Sequence, residues 1–139
     1  MQGSLGIGAN LNKWTQEDFA TARKMIEMYK SFRETVQRGD LYRLMSPREG
    51  EQSVTESVSR DGGQAVTFAF VHSSVQLYPF PRVYLRGLDE NAIYTLKVAH
   101  GTMREDTPQQ ATGGYWMHRG IDIELKGDFQ AAIFILDRQ

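Results

Sequence analysis

The sequence contains no cysteine, which excludes disulfide bridges, thiolate metal sites and catalysis by a cysteine nucleophile. It also lacks an excess of either charge, because 16 Lys and Arg residues stand against 17 Asp and Glu residues. Without a bulk positive field we expect no nucleic-acid partner. No apolar run approaches the ~18 residues that cross a bilayer, and the glycine-broken amino terminus is unlike a secretory signal. We therefore expect a soluble chain with no membrane partner, in a compartment that the sequence leaves open.

What remains is the composition of an ordinary globular protein. The 139 residues are 40% hydrophobic, 24% charged and 11% aromatic. A domain of this length can bury a core of its own. The composition excludes intrinsic disorder, a collagen-like repeat and a coiled coil.

A long amphipathic helix is predicted near the start of the chain, because apolar residues recur there at spacings of three and four. Thr15 is placed as the N-cap, Asp18 stands where it can complete a capping box, and Gly39 is a stop signal. We predict a helix over residues 16–38. Its apolar stripe consists of Phe19, Ala22, Ile26, Tyr29 and Phe32.

After this helix the apolar pattern changes to a period of two, which is typical of β-strands. Turn signals such as Asp61-Gly62-Gly63 and Gly127-Asp128 separate the runs, and the polar stretch 101–114 predicts a loop. The predicted fold class is mostly β: an antiparallel β-sandwich preceded by one long amphipathic α-helix. The predicted strands are 41–45, 53–59, 65–71, 83–85, 93–98, 121–125 and 132–136. The side chains predicted to point inward are Val54, Val66, Phe68, Phe70, Leu85, Tyr94, Leu96, Ile123, Ile133 and Ile135.

Titratable residues do not form a catalytic, cofactor-binding or metal-binding pattern. The three histidines are far apart and have no second ligand at a metal-binding spacing. Asp122 and Glu124 lie on one face of a predicted strand, as expected of a solvated face. Gly6-Ile7-Gly8 lacks the preceding strand and the third glycine of a dinucleotide-binding loop. We therefore expect no catalytic residue, no cofactor and no metal in this chain.

Aromatic residues provide the one candidate binding surface. Tyr115 and Trp116, together with Tyr78, flank predicted strands and could stack on sugar rings. In a small β-sandwich such residues more often belong to the core. Their exposure on one face would favour the alternative function, a stand-alone carbohydrate-binding β-sandwich module.

Several segments, in order, resemble the carboxy-terminal part of family-36 α-galactosidases. Gly6-Ile7-Gly8-Ala9-Asn10-Leu11, followed by Trp14-Thr15 and the helix, is similar to the last strand, loop and helix of their catalytic barrel. Gly39-Asp40-Leu41-Tyr42-Arg43-Leu44 resembles the segment that crosses to their carboxy-terminal domain. The parts similar to that β-domain are Arg86-Gly87-Leu88-Asp89, Tyr94, and Gly120 through Gly127-Asp128 with the closing apolar strand.

The resemblance implies two parts: residues 1–38 as the terminal segment of a (β/α)8 barrel, and residues 39–139 as the C-terminal antiparallel β-sandwich domain. The family's two catalytic aspartates lie upstream of any segment present here, and Lys13-Trp14 is followed by Thr15 instead of an aspartate. The implied function is that of a non-catalytic fragment of an α-galactosidase-like hydrolase, whose parent hydrolyses terminal α-galactosides. Its implied role is structural support or an oligomer contact. The implied partners are the catalytic barrel of the parent enzyme and, through the helix, a second copy in a homo-oligomer.

Overall fold

In the computed structural model, which describes residues 2–73 and 80–139, a long helix precedes an antiparallel sheet. A single 3-10 turn at Leu11–Lys13 comes before the first helix. The elements are α1 (Gln16–Arg38), β1 (Asp40–Met45), β2 (Gln52–Val58), β3 (Gln64–Val71), β4 (Ile93–His100), β5 (Thr102–Met103), β6 (Gln110–Thr112), α2 (Gly113–His118), β7 (Ile123–Glu124) and β8 (Gln130–Arg138).

Helix α1 begins where the sequence predicts, because the local capping chemistry is complete. The Thr15 hydroxyl accepts the N–H of Asp18 at 3.2 Å, and the Asp18 carboxylate accepts the N–H of Thr15 at 2.8 Å. The rings of Trp14 and Phe19 pack edge to face across the cap, with centroids 5.2 Å apart. The predicted helix over residues 16–38 is confirmed.

Gly39 joins the end of α1 to the sheet. Its N–H donates to the Thr35 carbonyl at 2.9 Å, which closes the last turn of the helix. A side-chain carbon at this position would collide with the carbonyl oxygen of Val58 in β2. The junction is therefore a close approach of two backbones that only glycine accommodates.

The strands form a six-stranded antiparallel sheet in the order β1-β2-β3-β8-β4-β6, and β5 pairs with β7 in a second, two-stranded sheet. Helix α1 packs on one face of the large sheet. The opposite face is covered by α2, the small sheet and the segment that contains Val83, Leu85 and Leu88. The predicted fold class, a mostly β sandwich preceded by a long helix, is confirmed.

The large sheet is therefore buried on both faces at its centre. Residues 65–69 of β3 and 132–136 of β8 are all buried, as expected of strands covered on two sides. The core under α1 consists of Tyr29, Phe32, Val66, Phe68, Ile133 and Ile135. The larger core on the opposite face includes Val54, Ala65, Tyr94, Leu96, Trp116, Ile121, Phe134 and Leu136.

Three sequence predictions need correction. The predicted strand 83–85 forms only a bridge between Val83 and Ile121, because the N–H of Leu85 donates instead to the carbonyl of Trp116 in α2 at 3.3 Å. The predicted strand 121–125 is reduced to the two residues of β7. The predicted loop 101–114 contains β5, β6 and the start of α2.

One predicted core residue is also wrong, since Phe70 is 39% exposed. Phe68 packs against Phe32 of α1 with ring centroids 5.8 Å apart, whereas Phe70 lies two residues further along the same face, outside that core. The other predicted inward residues are buried. Neither helix among the described residues has the combined length and hydropathy of a membrane-spanning segment.

Candidate functional site

The aromatic residues predicted to bind sugar lie on and near the short helix α2. Trp116 is fully buried, and its ring meets that of Tyr115 edge to face at 5.2 Å. Tyr115 is 36% exposed, and Tyr78 lies outside the described residues. Full burial leaves the Trp116 ring no free face for a ligand, so the stacking hypothesis stays a prediction that depends on Tyr115.

Two glycines explain why Trp116 is inside. The N–H of Gly113 donates to the Ala92 carbonyl at 2.9 Å, and the N–H of Gly114 donates to the Glu90 carbonyl at 3.0 Å. A side-chain carbon at Gly113 would collide with the carbonyl oxygen of Asp89. This close seating of α2 against the turn before β4 carries Trp116 into the core.

Asp122, one of the two strand carboxylates, is held in an ion pair at the surface. Its two oxygens accept from Nε and Nη2 of Arg82 at 2.7 and 2.8 Å, and Nη1 of Arg119 lies 3.8 Å away. The pair borders a surface cleft of about 530 Å³, where Tyr84 is 53% exposed. The lone pairs that a base or nucleophile would use are directed to guanidinium hydrogens.

Glu124, the other strand carboxylate, also forms an ion pair. Nζ of Lys126 lies 2.6 Å from its carboxylate, and this hydrogen bond lowers the pKa of Glu124 below its usual value. A general acid needs a raised pKa instead. Asp122 and Glu124 therefore have the features of surface ion pairs and lack those of a general acid and a nucleophile.

The histidines do not come together. His72 contacts Glu51 at 3.1 Å and the ring of Phe129 at a centroid distance of 5.1 Å, while His118 lies 4.0 Å from Glu90. In the parts of the chain that the structure describes, no group of three or more His, Asp or Glu residues could hold a metal ion.

A buried carboxyl that the sequence analysis missed lies in β2. Glu56 is fully buried; its Oε2 accepts the N–H of Arg86 at 2.8 Å, and its Oε1 has no hydrogen-bond partner among residues 2–73 and 80–139. Burial raises its pKa to about 8, against the opposing effects of the Arg86 N–H and the Arg86 charge. The signal was present, because Glu56 lies midway between Val54 and Val58 in an alternating pattern and so shares their core face.

The apolar stripe is only partly covered in the helix outer half, defined as residues 16–27 of α1. The buried residues of α1 are Tyr29, Phe32 and Thr35, all further along the helix. In the outer half Phe19 is 40% exposed, and Ala22 and Ile26 are half-buried. An amphipathic helix gains its stability by burying its apolar stripe, and in this stretch the stripe is left partly uncovered by the described residues.

Comparison with known proteins gives consistent matches. Residues 52–136 match the family described as "Glycosyl hydrolase family 36 C-terminal domain". The chain is 32% identical over 139 residues to alpha-galactosidase C of Emericella nidulans, and 31% identical over 97 residues to alpha-galactosidase AgaA of Geobacillus stearothermophilus. It covers 17% of the first protein and 13% of the second, while the matches cover 100% and 70% of this chain.

The fold is also similar to a solved structure. The crystal structure of the GH36 alpha-galactosidase AgaB from Geobacillus stearothermophilus superposes with a TM-score of 0.79 at 25% identity. The superposition covers 93% of this chain and 17% of that one. The chain therefore spans about a sixth of the length of the proteins it matches.

Proposed function

The chain belongs to the family of glycosyl hydrolase family 36 C-terminal domains, and from that premise we propose that it is a non-catalytic part of an α-galactosidase-like enzyme. In this proposal the parent enzyme hydrolyses terminal α-galactosides in oligosaccharides. The relatives' name and the 17% share of their length support the assignment. A (β/α)8 barrel needs roughly 200 residues or more, which exceeds the 139 of this chain.

We propose that residues 1–38 are the terminal segment of the catalytic barrel and that residues 39–139 are the β-sandwich domain. The junction at Gly39 supports this division, because α1 ends and the sheet begins there. The inner half of α1, defined as residues 28–38, packs on the sheet through Tyr29 and Phe32. In this proposal the helix contacts both parts: its outer half packs on the catalytic barrel and its inner half on the β-sandwich domain.

The incomplete covering of the helix outer half is the observation that carries this proposal. Phe19 at 40% exposure, with Ile26 half-buried on the same stripe, gives a catalytic body an apolar surface to pack on. In the chain studied alone, the same surface would meet a second copy. This is the homo-oligomer contact that the sequence predicts.

Sedimentation of the wild type against the double variant Phe19→Asp with Ile26→Asp tests the role of the outer half. We expect the wild type to self-associate and the double variant to run as a monomer that still unfolds cooperatively in urea, because both changes avoid the buried inner half. Exposed Ile93 of β4 provides the control, since Ile93→Asp should leave association unchanged. A clean wild-type monomer would contradict the proposal.

An activity measurement tests the non-catalytic assignment. We expect the purified chain to hydrolyse no aryl α-galactoside, because retaining glycoside hydrolysis needs a carboxylate pair in acid and nucleophile roles, whereas Asp122 and Glu124 are held in ion pairs. Turnover that is lost in Asp122→Asn or Glu124→Gln would overturn the assignment.

A stand-alone carbohydrate-binding module is the second candidate. The partial exposure of Tyr115 favours it, because an accessible tyrosine ring can stack on a sugar. Titration of the chain with raffinose, followed by calorimetry, separates the candidates. Binding that is lost in Tyr115→Ala would support the module, and absence of binding would support the structural role.

A further inference from the structure

The position of Glu56 on the sheet is that of a core residue. It pairs with Tyr42 of β1 on one side and with Thr67 of β3 on the other. Directly opposed residues of neighbouring strands point to the same face. That face is the one opposite α1, and both Glu56 and Thr67 are fully buried there.

The polar atoms around Glu56 are unevenly satisfied. Oε2 accepts the Arg86 N–H, whereas Glu56 Oε1 and Thr67 Oγ1 are both buried without a hydrogen-bond partner in the described chain. A carboxylate can only accept hydrogen bonds, but a protonated carboxyl can also donate one. A proton on Oε1 therefore gives the neutral carboxyl a donor on the buried face that it shares with the Thr67 hydroxyl, although the two atoms form no direct hydrogen bond.

The charges that face Glu56 do not compensate an ionised carboxylate. The segment above it contributes Arg86, whose side chain is exposed, so that its charge is largely screened by solvent. Strand β1 contributes Tyr42, while β3 contributes Thr67, which does not titrate. A buried carboxylate without a buried cation is costly, and the proton removes that cost.

The contact between Glu56 and Arg86 also holds part of the outer layer. The cover segment, defined as residues 83–88, bonds to Ile121 through Val83 and to the Trp116 carbonyl through the N–H of Leu85. Among the described residues, the Arg86 N–H gives the segment its hydrogen bond to the large sheet, beside the apolar packing of Val83, Leu85 and Leu88 in the core. Glu56 is therefore a polar contact through which the sheet holds the cover segment.

We propose that Glu56 is a built-in proton-binding site that couples the closure of the cover segment over the sheet to pH, with the carboxyl neutral while the segment is closed. This site is independent of the proposed function. The pKa of about 8 in the folded chain, against an ordinary value of 4.5, agrees with it. Because the folded pKa is the higher one, the stabilisation is complete below about pH 4.5 and is lost as the pH rises to about 8.

Urea unfolding of the 139-residue chain and of Glu56→Gln between about pH 5 and about pH 9 tests the site. Glutamine keeps the acceptor for Arg86 and a donor toward Thr67 but does not titrate. We expect the unfolding equilibrium constant of the wild type, relative to the variant, to rise by about tenfold per pH unit up to about pH 8 and then to level off. A ratio independent of pH would overturn the proposal. Glu49→Gln, at an exposed turn residue, should retain the wild-type profile.

Two measurements on the wild type keep the test decisive if Glu56→Gln does not fold. The side-chain carboxyl carbon of Glu56 should titrate by NMR with a midpoint near pH 8, and a midpoint near 4.5 would refute proton binding. The Arg86 amide should exchange faster above about pH 8 than base catalysis alone predicts, because the cover segment then moves its N–H away from the Glu56 carboxylate. Unchanged protection would refute the coupling to the cover segment.

Discussion

The two halves of α1 carry the same apolar pattern but have different surroundings. In the inner half, Phe32 is 1% exposed and packs against Phe68 of the sheet. In the outer half, Phe19 is 40% exposed and its ring contacts only Trp14 of the adjacent cap among the aromatic pairs of the described chain. Periodicity shows which face of a helix is apolar, but the identity of what covers that face is not encoded in the helix itself.

Truncating one phenylalanine in each half should give the largest difference. Phe32→Ala removes a buried ring and should lower the free energy of unfolding by about 3–5 kcal/mol. Phe19→Ala removes an edge-to-face contact at a half-exposed site and should cost less than about 1 kcal/mol. Urea unfolding of both variants measures this difference. Equal losses would show that the outer half is part of the same cooperative core.

A smaller effect is expected for Thr35 of α1 and for Thr15, the N-cap of this helix. The Thr35 hydroxyl is buried and donates to Oε1 of Gln64 at 2.6 Å, so Thr35→Ala should cost about 1–3 kcal/mol because it leaves that acceptor unpaired. Thr15→Ala removes the N-cap of the exposed end, where the helix can fray locally. We expect it to change the global unfolding free energy by less than about 0.5 kcal/mol.

Hydrogen exchange gives the second readout for this pair. Loss of the cap should accelerate exchange of the amides at residues 18–21 and leave those around Thr35 unchanged. Acceleration along the whole of α1 in Thr15→Ala would contradict the division into two halves.

The features that the sequence predicts well are those set by neighbouring residues. The bounds of α1 follow from Thr15, Asp18 and Gly39, which act within one turn of each end. Strands β2 and β3 lie within one residue of their predicted bounds, because the Asp61-Gly62-Gly63 turn between them is local. At these positions the interactions of neighbouring residues were sufficient to predict where the element begins and ends.

The errors lie where a distant segment decides the structure. Gly113 and Gly114 indicate a loop, yet they allow α2 to approach the Asp89 and Glu90 carbonyls about two dozen residues earlier in the chain. Leu85 then bonds to α2 instead of to a strand. The burial of Trp116 follows from the same approach, so its exposure could not be judged from the sequence around it.

The candidate site shows the same limit. The pairing of Asp122 with Arg82 joins residues 40 positions apart, and no local pattern indicates it. The burial of Glu56, in contrast, follows from its position between Val54 and Val58, whose alternating pattern places it on the core face. A charge that shares the phase of buried aliphatic residues is a signal for a shifted pKa.

The junction at Gly39 fixes the direction in which the outer half of α1 presents its apolar stripe to a contacting surface. Because Gly39 is wedged against the Val58 carbonyl and Phe32 against the sheet, the inner half fixes the rotation of the whole helix about its own axis. Removal of one residue between Ile26 and Tyr29 would leave the inner half seated and turn the outer stripe by about 100°. The spacing between the two halves, and not only the residues within them, therefore sets the direction in which the outer surface points.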